Sequence, residues 1–185
     1  MSPKAKRDTM RAAICGALLC GAILNTGCTA LEKDSPIGLS VAIGDDLTKV
    51  RAALGTSAPL QVRPSVPAPR GVAVTFSGSK FIELKDRGTT VWFTPGDNPR
   101  VQRIVLSPPY PGRIKGIALG NTVQQLKSKL GEPHTSQSFP GRGTYYRYAL
   151  DDSAYVFFEA DPAMQITSIV IAAEQSPFPI ATWRP

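Results

Sequence analysis

Two stretches of the chain share one pattern: IALGNTVQQLKSKLGEP at residues 117–133 and VAIGDDLTKVRAALGTSAP at residues 41–59. In each stretch apolar residues recur at positions i, i+3 and i+7 between two glycines. This spacing places three apolar side chains along one stripe of a short helix. The stripe residues are Leu47, Val50 and Leu54 in the first stretch and Val123, Leu126 and Leu130 in the second. The pattern therefore predicts two short helices of the same design.

Polar residues and glycines mark where these helices begin and end. Asp46 is the predicted N-cap of the first helix, since a short acidic side chain can accept a hydrogen bond from a free backbone N–H. Thr122 and Gln125 have the S/T-x-x-E/Q spacing of a capping box. Gly55 and Gly131 follow the apolar stripes and are predicted to end the helices in the left-handed conformation.

Strand signals follow each predicted helix. The segments at residues 89–107 and 153–172 both read as a strand, a turn containing proline and a second strand, rich in β-branched and aromatic residues. Earlier strands are predicted at residues 80–84 and 144–150. The pattern predicts an α+β fold, in which two tandem helix-plus-antiparallel-meander repeats form one sheet with both helices on one face.

The predicted repeats differ in length. The first spans residues 37–107 and the second residues 116–174, with a linker at residues 108–115. The extra residues of the first repeat lie in the proline-rich segment SAPLQVRPSVPAPRGVAVTF, residues 57–76. Its prolines exclude a helix there. Residues 175–185 form a proline- and aromatic-containing C-terminal tail.

The N-terminal region has the composition of a secretory leader. Basic residues precede an apolar run at residues 12–24, which is too short to cross a bilayer, and small residues then lead to Cys28. We predict a signal peptide at residues 1–27 and a tether at residues 28–36. Cys15, Cys20 and Cys28 are the three cysteines of the chain. The predicted mature protein therefore contains no disulfide and no cysteine-based metal site.

Gly27 and Cys28 resemble the lipobox of bacterial lipoproteins. The resemblance implies that Cys28 is acylated and becomes the lipid-anchored first residue. In those lipoproteins an aspartate after the cysteine usually marks retention in the inner membrane, so Thr29 favours the outer membrane, on its periplasmic side. An ordinary cleaved leader, which leaves Cys28 without a lipid, is the alternative.

The body of the chain resembles the SmpA/OmlA (BamE-like) outer-membrane lipoproteins, and its tandem arrangement resembles the β-lactamase-inhibitor-protein (BLIP-like) architecture. The residues of the second repeat that carry the resemblance are Gly120, Thr122, Leu126, Leu130, Gly131, Pro133, Tyr146, Tyr148, Phe158 and Ile169. It implies a binding protein that contacts the outer-membrane assembly machinery and phospholipid. A proteinaceous inhibitor of a secreted hydrolase and a purely structural envelope lipoprotein are the alternatives.

Residues able to support catalysis are few. His134 is the only histidine, and it has no cysteine, second histidine or nucleophile motif around it. The pairs Asp45–Asp46 and Asp151–Asp152 lie at a predicted helix start and in a predicted turn, where aspartate has structural roles. We predict that the protein is not an enzyme and needs no cofactor or metal.

The net charge of +7 is raised by the basic leader. The remaining surplus suits anionic lipid head groups or an acidic partner, whereas a nucleic-acid-binding protein would have a concentrated basic stripe. Nucleic-acid binding is therefore not predicted, and the sequence leaves the oligomeric state open.

A protein-binding surface is the function that the residues favour. Tyrosine, tryptophan and arginine are common at the centres of interfaces. If Tyr146 and Tyr148 face the helices, strand alternation makes Tyr145 and Arg147 face the other way. The predicted partner-binding residues are Tyr145, Arg147, Tyr155, Trp92 and Trp183, and the alternative is that these are ordinary half-buried sheet residues.

Labelling of cells with a clickable fatty acid tests the predicted anchor. We expect the wild-type protein to incorporate the label and the Cys28→Ala variant to lose it, since the thiol is the acceptor of the lipid. Equal labelling of the two proteins would show that Cys28 is not the lipidation site.

Overall fold

The computed structural model describes residues 39–63, 79–141 and 143–173. Two helices, α1 (Leu47–Leu54) and α2 (Val123–Leu130), have eight residues each. A short 3-10 helix spans Lys85–Arg87. The strands are β1 (Gln61–Val62), β2 (Lys80–Leu84), β3 (Thr89–Phe93), β4 (Val101–Leu106), β5 (Arg113–Ile114), β6 (Ile117–Ala118), β7 (Thr135–Phe139), β8 (Gly143–Ala149), β9 (Ala154–Ala160) and β10 (Ile166–Ala173).

The predicted helix starts are confirmed. The Asp46 carboxylate accepts the backbone N–H of Lys49 at 2.8 Å, and Thr122 and Gln125 form both hydrogen bonds of the capping box. Gly55 ends α1 in the left-handed conformation as predicted. Gly131 ends α2 differently, with φ of 80° and ψ of −165°. The left-handed conformation predicted for Gly131 is therefore wrong.

Eight of the strands form one antiparallel sheet in the order β1-β2-β3-β4-β10-β9-β8-β7, and β5 and β6 form a separate hairpin. The centre of the sheet is the pairing of β4 with β10, in which Val105 lies opposite Val170 and Ile104 opposite Ile171. Strands far apart in the sequence thus meet in one continuous sheet. This sheet positions every side chain discussed below.

The predicted α+β fold of two tandem helix-plus-meander repeats is wrong, because the chain is mainly β. The eight-stranded sheet dominates the structure, and the two helices have only two turns each. Each helix has only three apolar stripe residues between its N-cap and its terminal glycine, which is too few for a helix of more than about two turns. The helices are therefore minor additions to a core built mainly by strands. The short hairpin β5–β6 stands outside the large sheet as well.

The predicted strands are observed, but four others were missed: the two-residue strands β1, β5 and β6 and the five-residue strand β7. The prediction of a strand at residues 80–84 is confirmed by β2, and those for residues 89–107 and 153–172 are confirmed by β3, β4, β9 and β10. Strand β7 was not predicted, because its sequence, Thr-Ser-Gln-Ser-Phe, lacks the apolar alternation that marks a half-buried strand. It forms the edge of the sheet, and four of its five residues are exposed.

The main core lies between the helices and one face of the sheet. Val50 and Leu54 of α1 and Val123 and Leu126 of α2 are buried. They belong to a single cluster with the sheet residues Ile82, Val91, Phe93, Ile104, Leu106, Tyr146, Tyr148, Val156, Phe158, Ile169 and Ile171. We call the sheet face that bears these residues the helix face.

Several predictions fall outside the described residues. These are the signal peptide, Cys28 and the tether at residues 28–36, together with Trp183 and the C-terminal tail at residues 175–185. Among the described residues, no helix is both long enough and apolar enough to cross a membrane.

Gly55 and Gly88 allow a matched test of packing beside the sheet, because both have φ of 57°. A methyl group on Gly55 would meet no atom within 4 Å, whereas one on Gly88 would overlap the carbonyl oxygen of Ser107. We expect Gly55→Ala to lower the free energy of unfolding by about 1 kcal/mol, from backbone strain alone. Gly88→Ala should lower it by roughly 2 to 4 kcal/mol, since overpacking adds to the strain. Urea unfolding measures both, and equal losses would contradict the packing described around Gly88.

Candidate functional site

The face of the sheet opposite the helices carries a second apolar cluster of aromatic and aliphatic side chains, and the buried Arg103 lies in the same rows. Residues opposite one another in neighbouring strands lie on the same face, so the register arranges them in rows across the sheet. The first row is Phe81, Trp92, Arg103, Ala172 and Tyr155, on β2, β3, β4, β10 and β9. The second row is Thr90, Val105, Val170, Phe157 and Arg147, on β3, β4, β10, β9 and β8. We call the face that bears these two rows the aromatic face.

One end of the first row is a stack of aromatic rings. The Phe81 and Trp92 rings lie 4.7 Å apart between centroids and 29° from parallel. The Arg63 guanidinium lies 5.7 Å from the Trp92 ring centroid, at the distance of a cation–π contact. The side chain of Arg63, the residue after β1, therefore lies over this end of the aromatic face.

The other end of the face has a closer cation–π contact. The guanidinium carbon of Arg147 lies 3.5 Å from the centroid of the Tyr155 ring and 5.9 Å from that of Phe157. Arg147 and Tyr155 are diagonal neighbours on β8 and β9, because Arg147 pairs with Phe157 and Tyr155 pairs with Ala149. Both side chains are half-buried, so the contact is partly shielded from water.

Arg103 is the most deeply buried charged group on the aromatic face, with 2% of its surface exposed. Burial and, to a lesser extent, the positive charge of Arg63 lower the pKa of its guanidinium from 12.5 to about 10. A guanidinium remains charged at neutral pH even so. The buried part of the face therefore has positive character, which favours contact with acidic groups.

The structure brings together four of the five predicted partner-binding residues. Trp92, Tyr145, Arg147 and Tyr155 all lie on the aromatic face, and the predicted opposite orientation of Tyr146 and Tyr148 is confirmed. Their exposure differs, since Trp92 and Tyr145 are buried at 9% and 8% exposed while the other two are half-buried. Their role in partner binding stays a prediction, and Trp183 lies outside the described residues.

Sequence reasoning missed Phe81, Arg103 and Phe157, which complete this face. Strand alternation places Arg103 with Val105 and Phe157 with Tyr155 on one side of their strands, which is a usable signal. That the two strands contribute to the same surface depends on the pairing of both with β10. The pairing of β4 with β10 joins residues separated by more than 60 positions, and neither strand encodes it alone.

The aspartates considered as catalytic candidates, Asp45 and Asp151, make structural hydrogen bonds. Asp45 accepts the backbone N–H of Ala42 at 2.8 Å and pairs with the Lys49 ammonium at 2.6 Å. The backbone N–H of Ser153 donates to Asp151 in the β8–β9 turn and lowers the pKa of that carboxyl group. His134 is exposed, with its ring 6.5 Å from that of Tyr155. In the described part of the chain, no group of three histidine, cysteine or carboxylate side chains could hold a metal ion.

A shallow polar hollow lies at the turn between β2 and β3. Its lining residues are Glu83, Leu84, Lys85, Gly88, Thr89, Thr90, Ser107 and Pro108. The lining contains neither a paired carboxylate nor a histidine to act as a general base. The aromatic face is therefore the stronger candidate site.

Comparison with known proteins does not assign a family. No protein-family model matches the chain, and no curated protein matches it either. A solved DUF4309 family protein from Bacillus subtilis is similar, with 15% identity and a TM-score of 0.42, over 70% of this chain and 78% of that one. A solved cysteine-rich secretory protein from Staphylococcus aureus is also similar, with 12% identity and a TM-score of 0.42. The match to the second covers 71% of this chain and 44% of that one, so this chain spans less than half of its length.

The contact between Arg147 and Tyr155 can be measured with a double-mutant cycle. We expect Arg147→Ala and Tyr155→Ala to show a coupling free energy of about 1 kcal/mol, because a half-buried cation–π pair lies between an exposed one (roughly 0.5–1 kcal/mol) and a desolvated one (about 2 kcal/mol). Chemical unfolding of the wild type, both single variants and the double variant gives the value. Additive effects within error would mean that the ring and the guanidinium do not interact in solution.

Proposed function

We propose that this chain is an exported lipoprotein that binds a protein of the cell envelope through its aromatic face and assists outer-membrane assembly. The leader and the lipobox-like Gly27–Cys28 support anchoring at Cys28, on the periplasmic side of the outer membrane. The anchor would hold the folded sheet close to the membrane surface. A partner in the same envelope would then meet it at high effective concentration.

The observation that supports binding most directly is the meeting of Trp92, Tyr145, Arg147 and Tyr155 on one face. Aromatic rings and guanidinium groups have the largest measured effects at interfaces, where they cluster around a dry centre. The aromatic face has such a centre, since Trp92 and Phe157 are buried. Arg147 and Tyr155 lie beside it with part of their surface exposed.

The charges of the face indicate the chemistry of the partner. Arg63, Arg103 and Arg147 contribute positive charge to the aromatic face. Glu159 lies on the same face opposite Tyr145, and Glu83 lies opposite Thr90. The positive charges outnumber the negative ones, so a partner surface with exposed carboxylates and apolar side chains fits best.

Charge reversal at Arg147 tests this proposal. The tagged protein is cross-linked in intact envelopes, solubilised in detergent and recovered, and the captured proteins are identified by mass spectrometry. We expect wild type to capture outer-membrane assembly subunits and Arg147→Glu to lose most of that capture, because it removes the cation and repels an acidic partner.

Arg113→Glu is the matched control. Arg113 is exposed on the separate β5–β6 hairpin, so its reversal changes the net charge equally without touching the aromatic face. Full capture by this variant together with loss in Arg147→Glu supports the proposal. Recovery of a secreted hydrolase would favour the inhibitor alternative. If Arg147→Glu captures as much of the partner as the wild type and Arg113→Glu do, the aromatic face is excluded as the binding surface.

A further inference from the structure

The three arginines of the aromatic face differ in how far a ligand can reach them. Arg103 is buried, with 2% of its surface exposed, and Arg63 lies 5.7 Å from the Trp92 ring at one end of the face. Arg147 lies at the other end and is half-buried. Its guanidinium makes neither a hydrogen bond nor an ion pair within the described ranges, and it is held by the Tyr155 ring. The positive charge of Arg147 is therefore fixed in position without being neutralised.

The Arg147 side chain contacts a ring and not the carboxylate that lies equally near on the next strand. Arg147 pairs with Phe157 in the β8–β9 register. Tyr155 and Glu159, two residues to either side of Phe157, are the diagonal neighbours on the same face, and a long side chain can reach either one. The guanidinium carbon lies 3.5 Å from the Tyr155 ring centroid. In the described part of the chain Arg147 forms no ion pair with Glu159 or with any other carboxylate.

The short distance to the ring determines which nitrogens of Arg147 a ligand can meet. At 3.5 Å the guanidinium and the ring are in van der Waals contact. This requires the two planes to stack, because an N–H group aimed at the ring would hold the guanidinium carbon farther away. Nε is buried without a hydrogen-bond partner, so the two terminal nitrogens are the donors on the accessible side. Two parallel N–H donors of a guanidinium match the two oxygens of a carboxylate.

We propose that Arg147 anchors the partner by binding one carboxylate, from an aspartate or glutamate side chain, through these two nitrogens. The inference rests on the proposed function and names the contact that gives it specificity. Tyr155 is a positioning residue, because its ring holds the guanidinium before the partner arrives and so reduces the side-chain entropy lost on binding.

His134 lies at the same end of the face. Its backbone N–H donates to the Arg147 carbonyl at 2.8 Å, and its exposed ring lies 6.5 Å from that of Tyr155. The imidazole offers a further nitrogen donor beside the guanidinium. The two side chains together form the polar rim of this end of the aromatic face.

A carboxylate fits this site better than a phosphate group does. One guanidinium balances the single charge of a carboxylate, whereas a phosphate monoester has a charge of about −1.5 to −2 and pairs best with a cluster of arginines. Arg103 lies on β4, three strands from β8, which is roughly 14 Å at the usual strand spacing. That distance is too large for one phosphate group to bridge Arg103 and Arg147.

Selection from a library of short random peptides tests the inference without a cellular partner. The purified full chain is the bait, and the affinities of the enriched peptides are measured by fluorescence anisotropy. We expect these peptides to contain aspartate or glutamate. Replacement of that residue by asparagine or glutamine should weaken binding about tenfold, because the paired charge is lost.

A double-mutant cycle assigns the carboxylate to Arg147. The acid and amide forms of a peptide should differ about tenfold in affinity for the wild type and for the control Arg113→Gln, and should bind Arg147→Gln equally. Arg113 is exposed on the β5–β6 hairpin, so the control removes the same charge elsewhere. If Arg147→Gln does not fold, Arg147→Lys replaces it, and the acid preference should fall because lysine lacks the paired donors.

Two variants test the role of Tyr155. Tyr155→Leu should reduce the preference for the acid peptide, whereas Tyr155→Phe keeps the ring and should retain that preference. A purely structural role of Tyr155 would weaken the binding of both peptide forms alike. Such a result would remove Tyr155 from the inference.

The inference is overturned if no peptide is enriched, if the enriched peptides lack acidic residues, or if the Arg147 variant keeps the full acid preference. The last result would assign the carboxylate to another cation of the face. Failure of the proposed function is a separate result. Acid-dependent peptides without any captured envelope protein would keep the site and remove the function, whereas captured assembly subunits without an acid preference would keep the function and remove this contact.

Discussion

The pairing of β4 with β10 is the constraint on which the rest of the structure depends. Strands β1 to β4 and strands β7 to β10 each follow one another in space, and only this pairing joins them into one sheet. Its register sets Ile104 opposite Ile171 on the helix face and Val105 opposite Val170 on the aromatic face. A slip of one residue would exchange these faces and place Arg103 in the main core. Both the core and the candidate site therefore follow from one register.

The two faces of the sheet differ in composition and in what they can do. The helix face is closed by α1 and α2 and contains the larger apolar cluster. The aromatic face combines apolar side chains with arginine, a composition typical of binding surfaces rather than of domain cores. Burial of a guanidinium is costly in free energy unless other groups compensate its charge. Under the proposed function, Arg103 would contribute positive charge to the recognition of an acidic partner.

Local features of the fold could be predicted from the sequence, whereas its class could not. The caps at Asp46 and Thr122 and most of the strands depend on neighbouring residues, so a short window contains the information. The fold class depends on the lengths of the helices relative to the size of the sheet. Both apolar stripes form helices of only two turns, whereas the sheet has eight strands. The polar edge strand β7 gave no signal, because an edge strand is specified by the pairing of its backbone with β8 and not by its own side chains.

Alternation of side chains along a single strand predicts which residues of that strand share a face, and this part of the candidate site could be predicted. That rule separates Tyr145 and Arg147 from Tyr146 and Tyr148 without knowledge of the fold. It does not bring Trp92 on β3 near Tyr155 on β9, because that depends on two strands between them, β4 and β10. The burial of Trp92 and Tyr145 was equally hidden, since alternation assigns a side chain to one face of a strand and not to a degree of exposure.

Cross-strand nuclear Overhauser contacts between β4 and β10 test the central register most directly. We expect contacts between the backbone protons of Val105 and Val170, and likewise between those of Ile104 and Ile171. Contacts of Val105 with Ile169 or Ile171 as its direct partner, or the absence of any contact between β4 and β10, would contradict the shared sheet and the aromatic face that depends on it.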